Sequence, residues 1–135
     1  MVAVAFPVPC EVAFDYLADP RRRPEWQSSL ARVEDVDGEP RVGQTWTDVT
    51  RPGLRPRMET TELDRPQRWS ERGTWRGFSA TLPHTFAATD TGCEVTPTMS
   101  LRGSGPRAPL ARLLGIMAPY AVRSDLRHAA STFSS

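Results

Sequence analysis

Between residues 95 and 101 the apolar Val95, Pro97, Met99 and Leu101 alternate with Thr96, Thr98 and Ser100, a period of two that predicts a strand with one dry and one wet face. Over 78–86 the same period sets Phe78, Ala80, Leu82, His84 and Phe86 against Ser79, Thr81, Pro83 and Thr85. A histidine therefore falls on an apolar face. Strands over 44–50, 57–63 and 68–73 alternate less cleanly, but Trp46 and Trp69 mark the buried parity, which Asp48 and Glu71 share. The stretches "DGEPRVG", "RPG", "DRPQ", "GTWRG" and "TDTG" supply turn chemistry between these runs. Their spacing describes an antiparallel meander of about six strands.

Ahead of the meander, residues 2–6 read as a short strand ended by Pro7. Pro9 suits the first turn of a helix through Leu17, with Glu11 near its positive end and Cys10, Phe14 and Leu17 on the inward side. Asp19-Pro20 stops that helix and caps a second, very short one, which Pro24 is expected to end. After "RGSGPRAP" the pattern turns helical. At 100° per residue Leu110, Leu113, Leu114, Met117, Tyr120, Ala121, Ser124 and His128 form one stripe, with Arg112, Arg123 and Arg127 outside it. Pro119 predicts a kink in this helix, and residues 131–135 read as a frayed tail. The result is an α+β domain in which a curved sheet wraps a long terminal helix.

A length of 135 residues is that of one domain. All 17 basic residues are arginines, and 16 acids leave a net charge of +1, so the chain is no polycation. Arg21, Arg22 and Arg23 are flanked by Asp15, Asp19 and Glu25 and read as solvated helix surface rather than a nucleic-acid grip. Cys10 and Cys93 match no C-x-x-C spacing and read as free thiols, which places the chain in a reducing interior. The start has neither a basic n-region nor a long apolar run, and no window approaches the ~18 apolar residues of a membrane span. A cytoplasmic location is the expectation. Two histidines and two isolated cysteines match no metal spacing, and "RGSGPR" lacks the lysine of a phosphate loop. Neither a metal nor another cofactor is expected.

The order of "FDYLADPRRRPEW", "RVGQTW", "TELDRPQRW" and "LRGSG" before the terminal helix resembles the polyketide cyclase/dehydrase and lipid-transport group of the START-like, Bet v 1-like (SRPBCC) superfamily. The resemblance covers nearly the whole chain. It implies a helix-grip fold: a seven-stranded curved antiparallel sheet around a long C-terminal helix, two short helices between strands 1 and 2, and a deep apolar cavity. A hydrophobic polyketide- or lipid-like molecule is the implied partner, held by a monomer or a homodimer. Such a fold does not specify one reaction.

Candidate chemistry follows from the residues facing that interior. His84 can act as acid or base, against the competing reading of a core histidine satisfied by one hydrogen bond. Glu71 and Asp48 supply carboxylates whose pKa an apolar pocket would raise; a register slip would instead leave them in solvent. Tyr120 and Ser124, one helical turn apart, can offer hydroxyls to a ligand carbonyl. Trp46 and Trp69 provide flat surfaces, and Phe78, Leu82, Phe86, Met99, Leu113 and Met117 complete the apolar lining. His84, Glu71 and Tyr120 are the candidate catalytic set. A cyclase, aromatase or dehydratase and a carrier or sensor without chemistry both fit, with an arginine-turn interaction module ranked below them.

Overall fold

The first strand, β1 (Val4–Phe6), buries Val4 and Phe6 and leaves Ala5 outside. Pro9 then precedes α1 (Cys10–Ala18), which buries Cys10, Ala13, Phe14, Leu17 and Ala18 along one stripe. The Asp19 carboxylate accepts from the Arg21 backbone N–H at 3.0 Å, starting a 3-10 turn at Pro20–Arg22 that runs into α2 (Arg23–Trp26). Pro24 does not end this second helix. It sits in its first turn, where a missing N–H costs nothing. The computed structural model describes residues 3–51, 53–103 and 105–133, with the side chains of 107–119 outside that description.

The meander comprises β2 (Leu30–Glu34), β3 (Thr45–Thr50), β4 (Arg57–Asp64), β5 (Arg68–Trp75), β6 (Phe78–Thr89), β7 (Gly92–Pro97) and β8 (Ser100–Gly103). The order across the antiparallel sheet is β1-β7-β6-β5-β4-β3-β2, and β8 pairs with β6 beyond β7. The run expected as one strand over 95–101 is thus two. Pro97 ends β7 opposite His84, the Thr98 N–H donates to the Pro83 carbonyl at 2.9 Å, and β8 resumes on the same side of β6. The predicted parity survives the break, with Val95 and Pro97 buried, Met99 and Leu101 half-buried, and Thr98 and Ser100 exposed. Register shifts at Leu30/Arg32 and Thr60/Glu62 bend the sheet.

The helix α3 (Ala108–Ser131) lies in the concave side. Over its described side chains the inward residues are Leu126, Ala129 and Ala130, with Val122 and Phe133 packed partly against the core. This corrects the predicted stripe. Tyr120, Ser124 and His128 are exposed, and two residues of separation, as between Ser124 and Leu126, is about 200° around a helix. The first half of that stripe, Leu110, Leu113, Leu114 and Met117, lies outside the described side chains.

The main core joins α1, β1, β6, β7 and the end of α3 through Phe6, Phe14, Leu17, Phe86, Val95 and Leu126. Within it, Cys10 and Cys93 are disulfide-bonded, linking α1 to β7 across 83 residues of sequence. The expected free thiols are therefore paired, and the argument from them to a reducing interior loses its basis. No helix among the described residues is long and apolar enough to cross a membrane. Replacing Cys10 and Cys93 with serine should cost about 2–5 kcal/mol, read as a lower urea midpoint. An unchanged midpoint on reduction would show that the thiols are unpaired in solution.

Candidate functional site

A carboxylate on a buried strand face needs a cation or a proton, and two of them lie on the concave side here. Asp48 on β3 and Glu71 on β5 are both buried. The cation is Arg23, the first residue of α2 and only 2% exposed. Its Nε and Nη2 donate to Asp48 Oδ1 and Oδ2 at 3.1 and 2.8 Å, a bidentate pair, and its Nη1 donates to Glu71 Oε2 at 2.5 Å. A guanidinium only donates, so the Gln27 amide faces it with oxygen, accepting from Nη2 and Nη1 at 3.1 and 3.3 Å. The guanidinium carbon lies 5.2 Å from the Trp46 ring centre, and Trp46 Nε1 donates to Asp48 Oδ1 at 2.9 Å.

The arginine run is thus split by its helix geometry. Arg23 shares an inward face with Trp26, three residues on, and both are buried. Arg21 donates to the Gly38 carbonyl at 2.8 Å, and Arg22 lies 3.5 Å from Glu25 with both side chains half exposed. The expectation that all three arginines form the solvated side fails at Arg23. The signal that could have found it was the pair of carboxylates on buried parity, which demand a partner of opposite charge.

One cation against two acids sets the electrostatics. Burial works against the charge on Arg23, but Asp48 and Glu71 outweigh it and hold the guanidinium pKa above its usual value. For Glu71 burial dominates over the attraction of Arg23, and the Asp48 charge adds to burial, so its carboxyl is pushed up from the usual carboxylate range. Hydrogen bonds to described residues engage only its Oε2.

Glu71 also lines a cavity of about 240 Å³ between the sheet and α3, together with Trp26, Leu82, His84, Met99 and Asp125. Asp125 on α3 accepts from the Ser28 hydroxyl at 3.0 Å and the Ser28 N–H at 3.3 Å, tying the helix to the loop after α2; burial raises its pKa. His84 stacks on Trp69 with ring centres 4.1 Å apart and an 11° tilt. Its Nδ1 lies 3.3 Å from the Trp69 carbonyl, which can only accept, so Nδ1 carries the proton. Burial lowers the His84 pKa to about 3, and it is neutral near pH 7. A second cavity of about 340 Å³, lined by Leu54, Pro56, Trp75, Phe78 and Leu101, adjoins the first.

The residues expected to form one site are divided. Glu71, His84, Leu82 and Met99 line the first cavity and Phe78 the second. Asp48 and Trp46 stand behind Glu71 as supports of Arg23. Trp69 and Phe86 belong to the core, Phe86 against Phe14 at 5.0 Å between ring centres. Tyr120, 79% exposed, and Ser124, also exposed, do not line either cavity. Leu113 and Met117 fall outside the described side chains. Arg23, Gln27 and Asp125 were not expected, and the two cavity walls they connect are distant in sequence.

Two measurements test this arrangement. Glu71→Gln should change stability by no more than about 1 kcal/mol, since it removes the surplus charge, whereas Arg23→Met should cost about 3–5 kcal/mol by leaving Asp48 unpaired. Equal losses in urea unfolding would refute the asymmetry. His84, with its folded pKa depressed, binds fewer protons than the unfolded chain, so its contribution is intact above about pH 6.5 and is lost as pH falls toward about 3. His84→Phe should flatten that part of the stability profile.

Comparison with solved structures places this geometry among proteins of similar fold. Ara h 8.0201 superposes with a TM-score of 0.77 at 13% identity, over 97% of this chain and 93% of that one. Protein MLL2253 from Mesorhizobium loti gives 0.71 at 16% identity, covering 99% and 97%. StfQ, a di-domain ARO/CYC from the steffimycin biosynthetic pathway, gives 0.77 at 15% identity over 96% of this chain and 48% of its own. No curated protein matches the sequence. Helix-grip architecture is common to this set, and residues 2–133 match the family described as polyketide cyclase / dehydrase and lipid transport, to which the chain belongs.

Proposed function

We propose that the protein binds a hydrophobic, polyketide- or lipid-like small molecule between the sheet and α3, and that Glu71 moves a proton on it. The supporting observation is the position of Glu71: buried, one oxygen fixed by Arg23, and part of the wall of a mainly apolar cavity. Burial raises the pKa of this carboxyl, which makes its carboxylate a stronger base than an exposed one and lets it return the proton it takes. Membership of the family and the ARO/CYC relative make ring closure of a poly-β-ketone-like chain the reaction class to test.

In that reaction the Glu71 carboxylate takes a proton from a carbon next to a carbonyl, and the resulting carbanion attacks a second carbonyl carbon of the same chain. The alkoxide formed recovers the proton from Glu71. Loss of water from this adduct gives the dehydrated ring. The apolar walls hold the flexible chain folded for attack, an entropic contribution. Arg23 keeps the carboxyl in place and tempers its basicity.

A carrier without chemistry is the second reading, favoured by the neutral state of His84 and the exposure of Tyr120, which leave Glu71 with few helpers. Incubation with a synthetic poly-β-ketone ester separates the two. A cyclase yields a product lighter by one water, and Glu71→Gln should slow its formation by about 100-fold or more while retaining binding. Recovery of unaltered ester from a stable complex would establish the carrier instead.

A further inference from the structure

The two cavities share three lining residues, Met58, Gly73 and Ala80. These are cross-strand partners in a single row: Trp46 faces Met58, Met58 faces Gly73, Gly73 faces Ala80, and Ala80 faces Leu101. On one side of the row, β5 and β6 present Glu71, Leu82 and His84; on the other they present Trp75 and Phe78. The middle of the row consists of the two smallest side chains available. Nearest above Gly73 lies the end of Met58: a Cβ added there would meet Met58 Sδ at 2.7 Å and Cε at 3.2 Å, with the Arg57 carbonyl oxygen next at 4.0 Å. Gly73 and Ala80 form a low sill, and a flexible thioether is the partition over it.

The polar groups differ sharply between the chambers. Glu71, His84, Gln27 and Asp125 all line the first, whereas the second is walled mainly by Leu54, Pro56, Trp75, Phe78 and Leu101. Arg23 is no anion receptor, because all five of its N–H donors are engaged by Asp48, Glu71 and Gln27. No arginine is among the described residues that line the first chamber. Of the charged groups near Asp125, His128 belongs to the exposed side of α3. The charged side chains of the first chamber's described wall, Glu71 and Asp125, are both acidic, so an anion would meet no opposite charge there. Alone, either chamber sits near or below the lower end of the roughly 300–1,000 Å³ usual for small-molecule sites; joined, they fall inside it.

We propose that the chambers form one site for an elongated amphiphile, whose neutral or cationic hydrogen-bond-donor head meets Glu71 and whose apolar tail passes Met58 toward Trp75 and Phe78. Met58 is then the residue that sets tail length, and the acidic wall rejects carboxylate-headed chains. This rests on the ligand-binding reading above and adds to it head chemistry and a length gate.

Binding of hexylamine, dodecylamine, dodecanol and dodecanoate, measured by calorimetry at pH 7 with Nile red displacement as a cross-check, tests both parts. Dodecylamine and dodecanol should bind at least about tenfold tighter than dodecanoate, and Glu71→Gln should narrow the gap. Met58→Trp should weaken dodecylamine by about tenfold or more with little effect on hexylamine. Leu54 is 43% exposed on the outer wall, so Leu54→Glu spares the fold and should likewise weaken only the long chain. Tightest binding of dodecanoate would overturn the head assignment. An unchanged ratio of long to short chains in both Met58→Trp and Leu54→Glu would overturn the two-chamber site. Failure of Nile red and every amphiphile to bind would instead remove the ligand-binding reading on which it stands.

Discussion

The buried guanidinium of Arg23 is the constraint around which the rest of the concave face is arranged. Removing three charged groups from water is costly, and the cost is offset only where geometry satisfies nearly every donor and acceptor. Here Asp48 takes two donors, Glu71 one and Gln27 the remainder. That requirement locks α2 against β3 and β5, and so places Trp26 on the cavity wall beside Asp125, which Ser28 holds. The structural ion network and one wall of the cavity thus share Glu71. Because the network carries one more acid than base, its member with a free oxygen, Glu71, is the one whose protonation is adjustable.

Strand placement was readable from alternation because burial on one face imposes a period of two, kept most sharply where buried His84 and Phe86 flank exposed Thr85. The short helices were readable because Asp19, Pro20 and Pro24 punctuate them. Pro24 shows the limit: the same ring that stops a helix also suits its first turn, and only the conformation of Arg23 decides between them. Likewise the alternation over 95–101 runs straight through Pro97, where β7 ends, and says nothing of the break before β8.

The site was legible in parts rather than as a unit. Glu71 and His84 stood out as polar residues on dry faces, and both line the cavity. Arg23 was hidden by its neighbours, since three arginines in a row look alike until a helix of four residues turns one inward. Tyr120 and Ser124 were misplaced because a stripe built from the leucines of the first half of α3 was extended into a second half whose inward residues are Leu126, Ala129 and Ala130. Small residues pack tightly against a sheet yet contribute little to an amphipathic pattern. The pairing of Cys10 with Cys93 had no local signal, for spacing along the chain says nothing about two positions brought together by α1 and β7.

That cross-link also divides the molecule topologically. The covalent loop it closes runs from Cys10 to Cys93 and encloses α1, α2 and strands β2 to β6, so most of the gripping sheet is a closed ring. The gripped helix α3 lies outside the ring, tied to it through β8 and through contacts such as that of Asp125 with Ser28. A displacement of α3 would leave every covalent constraint on the ring in force, so the cross-link fixes the shape of the grip and not the position of what it grips.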